Sequence, residues 1–217
     1  MQLLITRSRA LLSSLVLAGA LLAAPGRAHA GVFDLYAQAQ GGGAYGLGLG
    51  GVQMDNDFFS GAGGALYGAK VGAEVLFTDA WVEHWQFTDL EGITGTWTQF
   101  MIGADVDFPL GDTPQGQKPK TFAELGFAVG YGLGTGQQVE PPLDNAQVTD
   151  KGFIGQLSLG VDYRFSKVIS IGVVVPITYG YLFKNGEGAA ANNADNQYHQ
   201  LAAAPMVYFR MNLGIGR

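Results

Sequence analysis

Residues 151–183 decide the fold: KGFIGQLSLGVDYRF (151–165), SKV (166–168) and ISIGVVVPITYGYLF (169–183). In the first limb Phe153, Leu157, Leu159, Val161, Tyr163 and Phe165 share one face. Ile154, Gln156, Ser158, Gly160, Asp162 and Arg164 share the other. In the second limb Ile169, Ile171, Val173, Val175, Ile177, Tyr179, Tyr181 and Phe183 alternate with a set that includes Ser170, Gly172, Thr178 and Gly180. A period of two is the period of a strand. Ser166 and Lys167 join the limbs, which makes a hairpin. Each limb is longer than the usual strand of about five or six residues. Each meets the roughly 9–11 residues that a tilted strand needs to cross a bilayer. The small-and-charged face would pack poorly as a dry core, whereas the aliphatic face, ending in aromatics, suits lipid. The hairpin therefore reads as part of a membrane β-barrel.

The N-terminus supplies a route to such a membrane. Arg7 and Arg9 form a basic segment, Leu11 to Ala24 an apolar one, and Ala28-His29-Ala30 a small-x-small cleavage site. This is the pattern of a signal peptide for the Sec pathway, spanning residues 1–30 and removed after Ala30. The apolar run is short of the roughly 20 residues of a membrane anchor. Residues 31–217 then form a single outer-membrane β-barrel domain. They contain no long uninterrupted apolar helix candidate, so spanning by helices is excluded and spanning by strands is not. The chain has no cysteine, hence no disulfide framework and no thiolate metal site. Its net charge of −6 argues against a nucleic-acid partner.

The same alternation extends along the chain. Strand one runs from Phe33 to about Tyr45, with Asp34, Tyr36, Gln38 and Gln40 on one face. A Gly-rich loop, Gly46 to Gly64, leads to strand two, Ala65 to Phe77, with Lys70 and Glu74 inward. Thr78-Asp79-Ala80 reads as a turn. Strand three, Trp81 to about Thr88, is irregular, because Trp81, Trp85 and Phe87 share a face with Glu83. Strand four is about Thr96 to Phe108, with Trp97, Gln99, Met101, Asp105 and Asp107 inward. A Pro/Gly turn at 109–120 precedes strand five, Thr121 to Leu133, with Glu124 inward. Gly134 to Asp150 reads as a long polar loop. The opening hairpin supplies strands six and seven. Lys184 to Asn196 is another loop, and strand eight is about Gln197 to Leu213. The fold class is thus all-β, an eight-stranded antiparallel up-and-down transmembrane barrel. Connections after strands one, five and seven are long, and the others are mostly short, which is the asymmetry of outer-membrane barrels.

In this architecture the chain resembles the small eight-stranded outer-membrane barrels, the OmpA transmembrane-domain, OmpX and OmpW-like group. The resemblance covers residues 31–217 and rests on no diagnostic motif. Two features depart from it. The chain ends on Leu213-Gly-Ile-Gly-Arg217 rather than on an aromatic, with Tyr208 and Phe209 as stand-ins. Pro176 and Pro205 lack an N–H in a barrel that has no edge, so a bulge or a missing ladder bond is expected near both.

The candidate site is the lumen charge network: Asp34, Lys70, Glu74, Asp105, Asp107, Glu124, Asp162, Arg164 and Arg210. Strand neighbours suggest Asp34 with Arg210 and Glu124 with Arg164. A charge in such an interior is costly unless paired. A barrel of eight strands is just wide enough for side chains to fill it, which favours a packed charged core over a gate. Carboxylates outnumber bases, so a minor leak would favour cations. Phe77, Trp81 and Phe108 near one rim, and Phe153, Tyr181 and Phe183 near the other, read as interfacial girdles. The acidic loop clusters Asp55-Asn56-Asp57, Glu140 with Asp144, and Asp195-Asn196 lack any calcium-loop spacing and read as solvated surface. No metal, cofactor or catalytic residue is expected. His199 with Ser60 is the one nameable pair for a barrel enzyme, and two unlinked residues are not a triad.

The sequence thus predicts a non-enzymatic bacterial outer-membrane protein with a structural or surface-interaction role carried by its long outer loops. The alternatives are an outer-membrane component of an envelope-spanning complex, in secretion or surface motility, and a lipid A-modifying enzyme. The expected partners are outer-membrane lipid and an envelope or surface protein, with no nucleic acid, and the barrel is expected to stand as a monomer.

Overall fold

A computed structural model describes residues 33–51, 64–75, 78–89, 94–111, 117–140, 143–186 and 197–215. They form nine β-strands: β1 (Phe33–Gly51), β2 (Gly64–Val75), β3 (Thr78–Asp89), β4 (Thr94–Pro109), β5 (Thr121–Glu140), β6 (Leu143–Arg164), β7 (Ile169–Gly186), β8 (Gln197–Ala203) and β9 (Met206–Ile215). From β1 to β8 each strand pairs antiparallel with the next, β9 pairs with β7 as β8 does, and β1 closes the ring against β8 and β9. The last two are halves of one stave, so the architecture is a closed eight-stranded barrel. The signal segment 1–30 and the loop stretches 52–63, 90–93 and 187–196 lie outside the described residues.

The register fixes the tilt. Ladder partners lead from Asp34 through Glu74, Asp79, Gly103, Ala128, Gln156, Thr178 and Ala202 back to the first strand at Gly46. One circuit therefore climbs from position 34 to position 46. At about 3.3 Å per residue and about 4.8 Å between strands, that stagger inclines the strands by about 45°.

The polarity is inside out. Ile171 and Val173 are 39% and 51% exposed on the outer wall, while Asp162 inside is 3% exposed. An aliphatic exterior around a polar interior is stable where hydrocarbon replaces water outside.

Several strands are longer than their sequence suggests. Gly46–Gly51, expected as loop, continue β1 and pair with Tyr198–Ala202. The expected polar loop 134–150 is mostly ladder, because β5 and β6 stay paired from Gly134↔Asp150 to Glu140↔Leu143. Backbone pairing there proceeds without apolar alternation, the signal on which strands are recognised. The expected turn Thr78-Asp79-Ala80 is the start of β3, paired with Val75, Glu74 and Ala73.

The two prolines share one defect. Val175 and Pro176 lie opposite Pro205 and Ala204, between the pairs Val174↔Met206 and Ile177↔Ala203. Register is the same on both sides, so there is no bulge here. Pro176 still accepts from the Ala204 N–H at 3.1 Å, and Pro205 from the Gly43 N–H at 3.1 Å. Each ring removes only its own donor, one toward each flanking strand.

Candidate functional site

The lumen is filled in three tiers. At the floor, near the ends of β2, β4 and β6, stand most of the charges. The Arg164 guanidinium donates to Asp162 at 2.8 Å and to Asp107, and its cation lies 4.0 Å over the Phe122 ring. Arg210 lies 3.9 Å from Glu74 and 3.9 Å over the Tyr36 ring. The Tyr36 hydroxyl donates to Asp79 at 2.7 Å. Lys70 lies 3.9 Å from Asp79 and 3.9 Å over the Trp81 ring. The Tyr208 hydroxyl is 3.0 Å from Asp162 and 3.1 Å from Glu124. Asp105 lies over Gly126, and Asp34 shares the inner face of β1 with Tyr36.

The middle tier is a ring of amides around one carboxylate. Gln40 and Gln99 each donate to a different oxygen of Glu83. Gln38 donates to Gln40 at 2.8 Å, and Trp97 donates to Gln99 at 3.1 Å. Both Glu83 oxygens are thereby satisfied, which offsets the cost of burying them. Gln99 is 0% exposed, and Glu83, Gln38 and Gln40 beside it are buried too.

The ceiling is apolar: Leu66, Trp85, Phe87, Trp97, Ile154 and Leu182 pack across the bore. Leu182 is 1% exposed. Between the ring and the ceiling there is a cavity of only about 20 Å3, counted as space open to a water's centre.

Five of the lumen contacts share one geometry. Tyr36 on β1 reaches Asp79 on β3, and Gln40 on β1 reaches Glu83 on β3. Arg164 on β6 reaches Asp107 on β4, Tyr208 on β9 reaches Asp162 on β6, and Arg210 on β9 reaches Glu74 on β2. In each case one strand is skipped. Where a tyrosine makes the crossing, the strand between offers glycine. Gly72 pairs with Tyr36 and Gly172 with both Tyr208 and Asp162. A Cβ at Gly72 would lie 2.5 Å from the Tyr36 hydroxyl, and one at Gly172 would lie 2.5 Å from the Tyr208 ring. The tyrosines cross over bare backbone to reach their acids.

Sequence reasoning missed Asp79 and Glu83. Asp79 was assigned to a turn, and Glu83 made β3 look irregular. The strand is regular once aromatics are allowed inside: Asp79, Trp81, Glu83, Trp85 and Phe87 are all buried. Trp81 is accordingly no girdle residue. It is 6% exposed and carries Lys70 on its face, a cation–π contact in a dry site. Phe108, Phe153 and Tyr181 do face outward, and Phe77 lies outside the described residues.

The histidines face away from the lumen. His199 stacks on Tyr179 and Tyr181, with Nδ1 2.6 Å from the Tyr179 hydroxyl. Ser60, its expected partner, lies outside the described residues. His84 Nδ1 is 2.8 Å from Thr98 Oγ1 on the outer wall, beside the Tyr67–Gln86 pair. These contacts satisfy polar groups on a wall otherwise greasy. No group of His, Cys, Asp and Glu able to hold a metal occurs among the described residues.

No protein-family profile matches the chain, and no curated protein does. Solved structures do. Neisserial surface protein A superposes with a TM-score of 0.53 at 12% identity, covering 83% of this chain and 97% of its own. The N-terminal barrel domain of Pseudomonas aeruginosa OprF gives 0.48 at 13% identity, with 83% and 97% covered. The Pseudomonas aeruginosa outer-membrane protein OprG gives 0.43 at 11% identity, with 84% and 96% covered. With a closed ring of eight antiparallel staves, an apolar exterior and a polar interior, the chain has the fold of the small eight-stranded outer-membrane β-barrels.

Proposed function

We propose that this is a non-enzymatic bacterial outer-membrane protein, exported through the Sec pathway, whose role is structural or surface-interacting. The observation that carries the reading is the filled bore. Paired charges, a hydrogen-bonded amide ring and an aromatic ceiling occupy the described lumen, and the cavity between ring and ceiling measures about 20 Å3. A barrel so plugged offers a rigid support rather than a passage. Its outward-facing histidines bond Tyr179 and Thr98, and among the described residues neither is joined to a serine and a carboxylate. The work then falls to the stretches that the sequence reads as long outer loops, which include 52–63 and 187–196. The outer-membrane lipid surrounds the wall, and an envelope or surface protein is the partner expected at the rim. Any ions that did pass would be cations, because the interior is richer in carboxylates.

Crosslinking in intact cells tests this reading. Photoreactive residues placed at 55–59 and 190–193 are expected to capture a surface or envelope protein. Products formed only with lipid, at both sites, would leave a purely structural role. Altered lipid A in cells that overproduce the protein, reverting with His199→Ala or His84→Ala, would replace the reading with the enzymatic one.

A further inference from the structure

The small cavity under the ceiling has a mostly apolar lining with a few polar groups set into it. Trp85, Gln99, Thr178 and Gln200 contribute polar side chains to its wall. Two of these carry buried donors that meet no partner among the described residues, Trp85 Nε1 and Gln200 Nε2. Both residues are deeply buried, at 4% and 5% exposure. The neighbouring indole of Trp97 is different, since Gln99 accepts its N–H. Two unmet donors beside one small void are unfavourable unless something fills the void and accepts from them.

The size identifies the occupant. A single water needs about 10–15 Å3 of such space and two to four polar partners. The cavity offers about 20 Å3. Thr178 Oγ1 accepts from Gln156 Nε2 at 3.1 Å and keeps a second lone pair. Glu83 projects from β3 two residues below Trp85 and holds its charge against amides alone, which disfavours an anion nearby.

We infer that this cavity binds one ordered water, which accepts from Trp85 Nε1 and Gln200 Nε2 and donates to Thr178 Oγ1. The water joins β3, β7 and β8 across the bore and completes the plug where side chains leave a gap. It does not depend on what the outer segments bind.

Water-to-protein cross-relaxation in the barrel, folded in detergent micelles with 15N-labelled tryptophan, tests the site. A water cross-peak is expected at the Trp85 indole proton and not at that of Trp97. No water contact at Trp85 would overturn the inference. So would a bromide-dependent shift of the Trp85 indole, which would assign the site to an anion. Trp85→Phe provides a second arm, because it deletes one donor. The thermal midpoint is expected to stay or fall, with the bridging water lost. A raised midpoint would mean that the indole N–H had been unsatisfied in a dry void, and would equally overturn it.

Discussion

Lys70 and Glu83 face each other across the β2–β3 ladder, yet they form no pair. Lys70 turns down to Asp79 and the Trp81 ring, and Glu83 turns up to Gln40 and Gln99. The lumen thus contains a lysine whose charge is matched below and a carboxylate satisfied by neutral amides above. Lys70→Met leaves Asp79 buried with the Tyr36 hydroxyl, and is expected to cost about 3 kcal/mol. Glu83→Gln orphans a single amide and is expected to cost about 1 kcal/mol. Urea unfolding in micelles gives both values. The reverse ranking would show that Lys70 serves Glu83 instead.

The glycine crossings can be tested by adding one methyl. Gly72→Ala and Gly172→Ala force Tyr36 and Tyr208 off their acids, at an expected cost of about 1–3 kcal/mol each. Gly155 is the control, because a Cβ there meets nothing within 4 Å. Its alanine variant is expected to stay within about 0.5 kcal/mol of the parent. Equal effects at all three positions would remove the steric argument.

At the proline seam, Pro176→Val restores a donor toward Ala204, and Pro205→Val restores one toward Gly43. Each is expected to stabilise the barrel by about 0.5–1 kcal/mol, the net worth of a ladder bond. Hydrogen exchange followed by NMR should show the new amides protected. Rapid exchange at both would mean that the strands have drifted apart there.

Planar-bilayer recording addresses the plug. The intact barrel is expected to be silent at steady voltage. Trp85→Ala with Leu182→Ala, which opens the ceiling, is expected to conduct and to prefer cations. Steady current through the unaltered protein would contradict a filled bore.

The signal segment makes its own prediction, independent of the barrel. N-terminal sequencing of protein from the outer membrane should begin at Gly31. Retention of residues 1–30 would mean that Ala28-His29-Ala30 is not a cleavage site.

Much of the fold was legible because period-two alternation is local. The face assignments of Tyr36, Gln38, Asp162 and Val173 needed only their neighbours in sequence. Strand ends above the outer rim were not legible. At Gly46–Gly51 and 134–150, backbone pairing continues without apolar alternation. The site was legible as a set of charges but not as a set of contacts. Pairing by neighbouring strands suggests Glu124 with Arg164; it does not suggest that the guanidinium spans Asp107 and Asp162, or that Glu124 meets Tyr208. Side chains converging on a narrow axis reach past the adjacent strand, and sequence spacing carries no record of that. Asp79 is lost because Thr78-Asp79-Ala80 reads as a turn, and Glu83 because tryptophans beside an acid look like a lipid-facing face.

The skipped strands bear on the order of assembly. A hairpin alone can complete its backbone ladder, but it cannot form contacts such as Tyr36–Asp79 or Arg164–Asp107, which require three consecutive staves in place. The Arg210–Glu74 contact goes further, because it spans the junction of the chain's two ends. It can form only when the cylinder shuts. That ion pair is a latch, which a barrel stalled one strand short of closure cannot fasten.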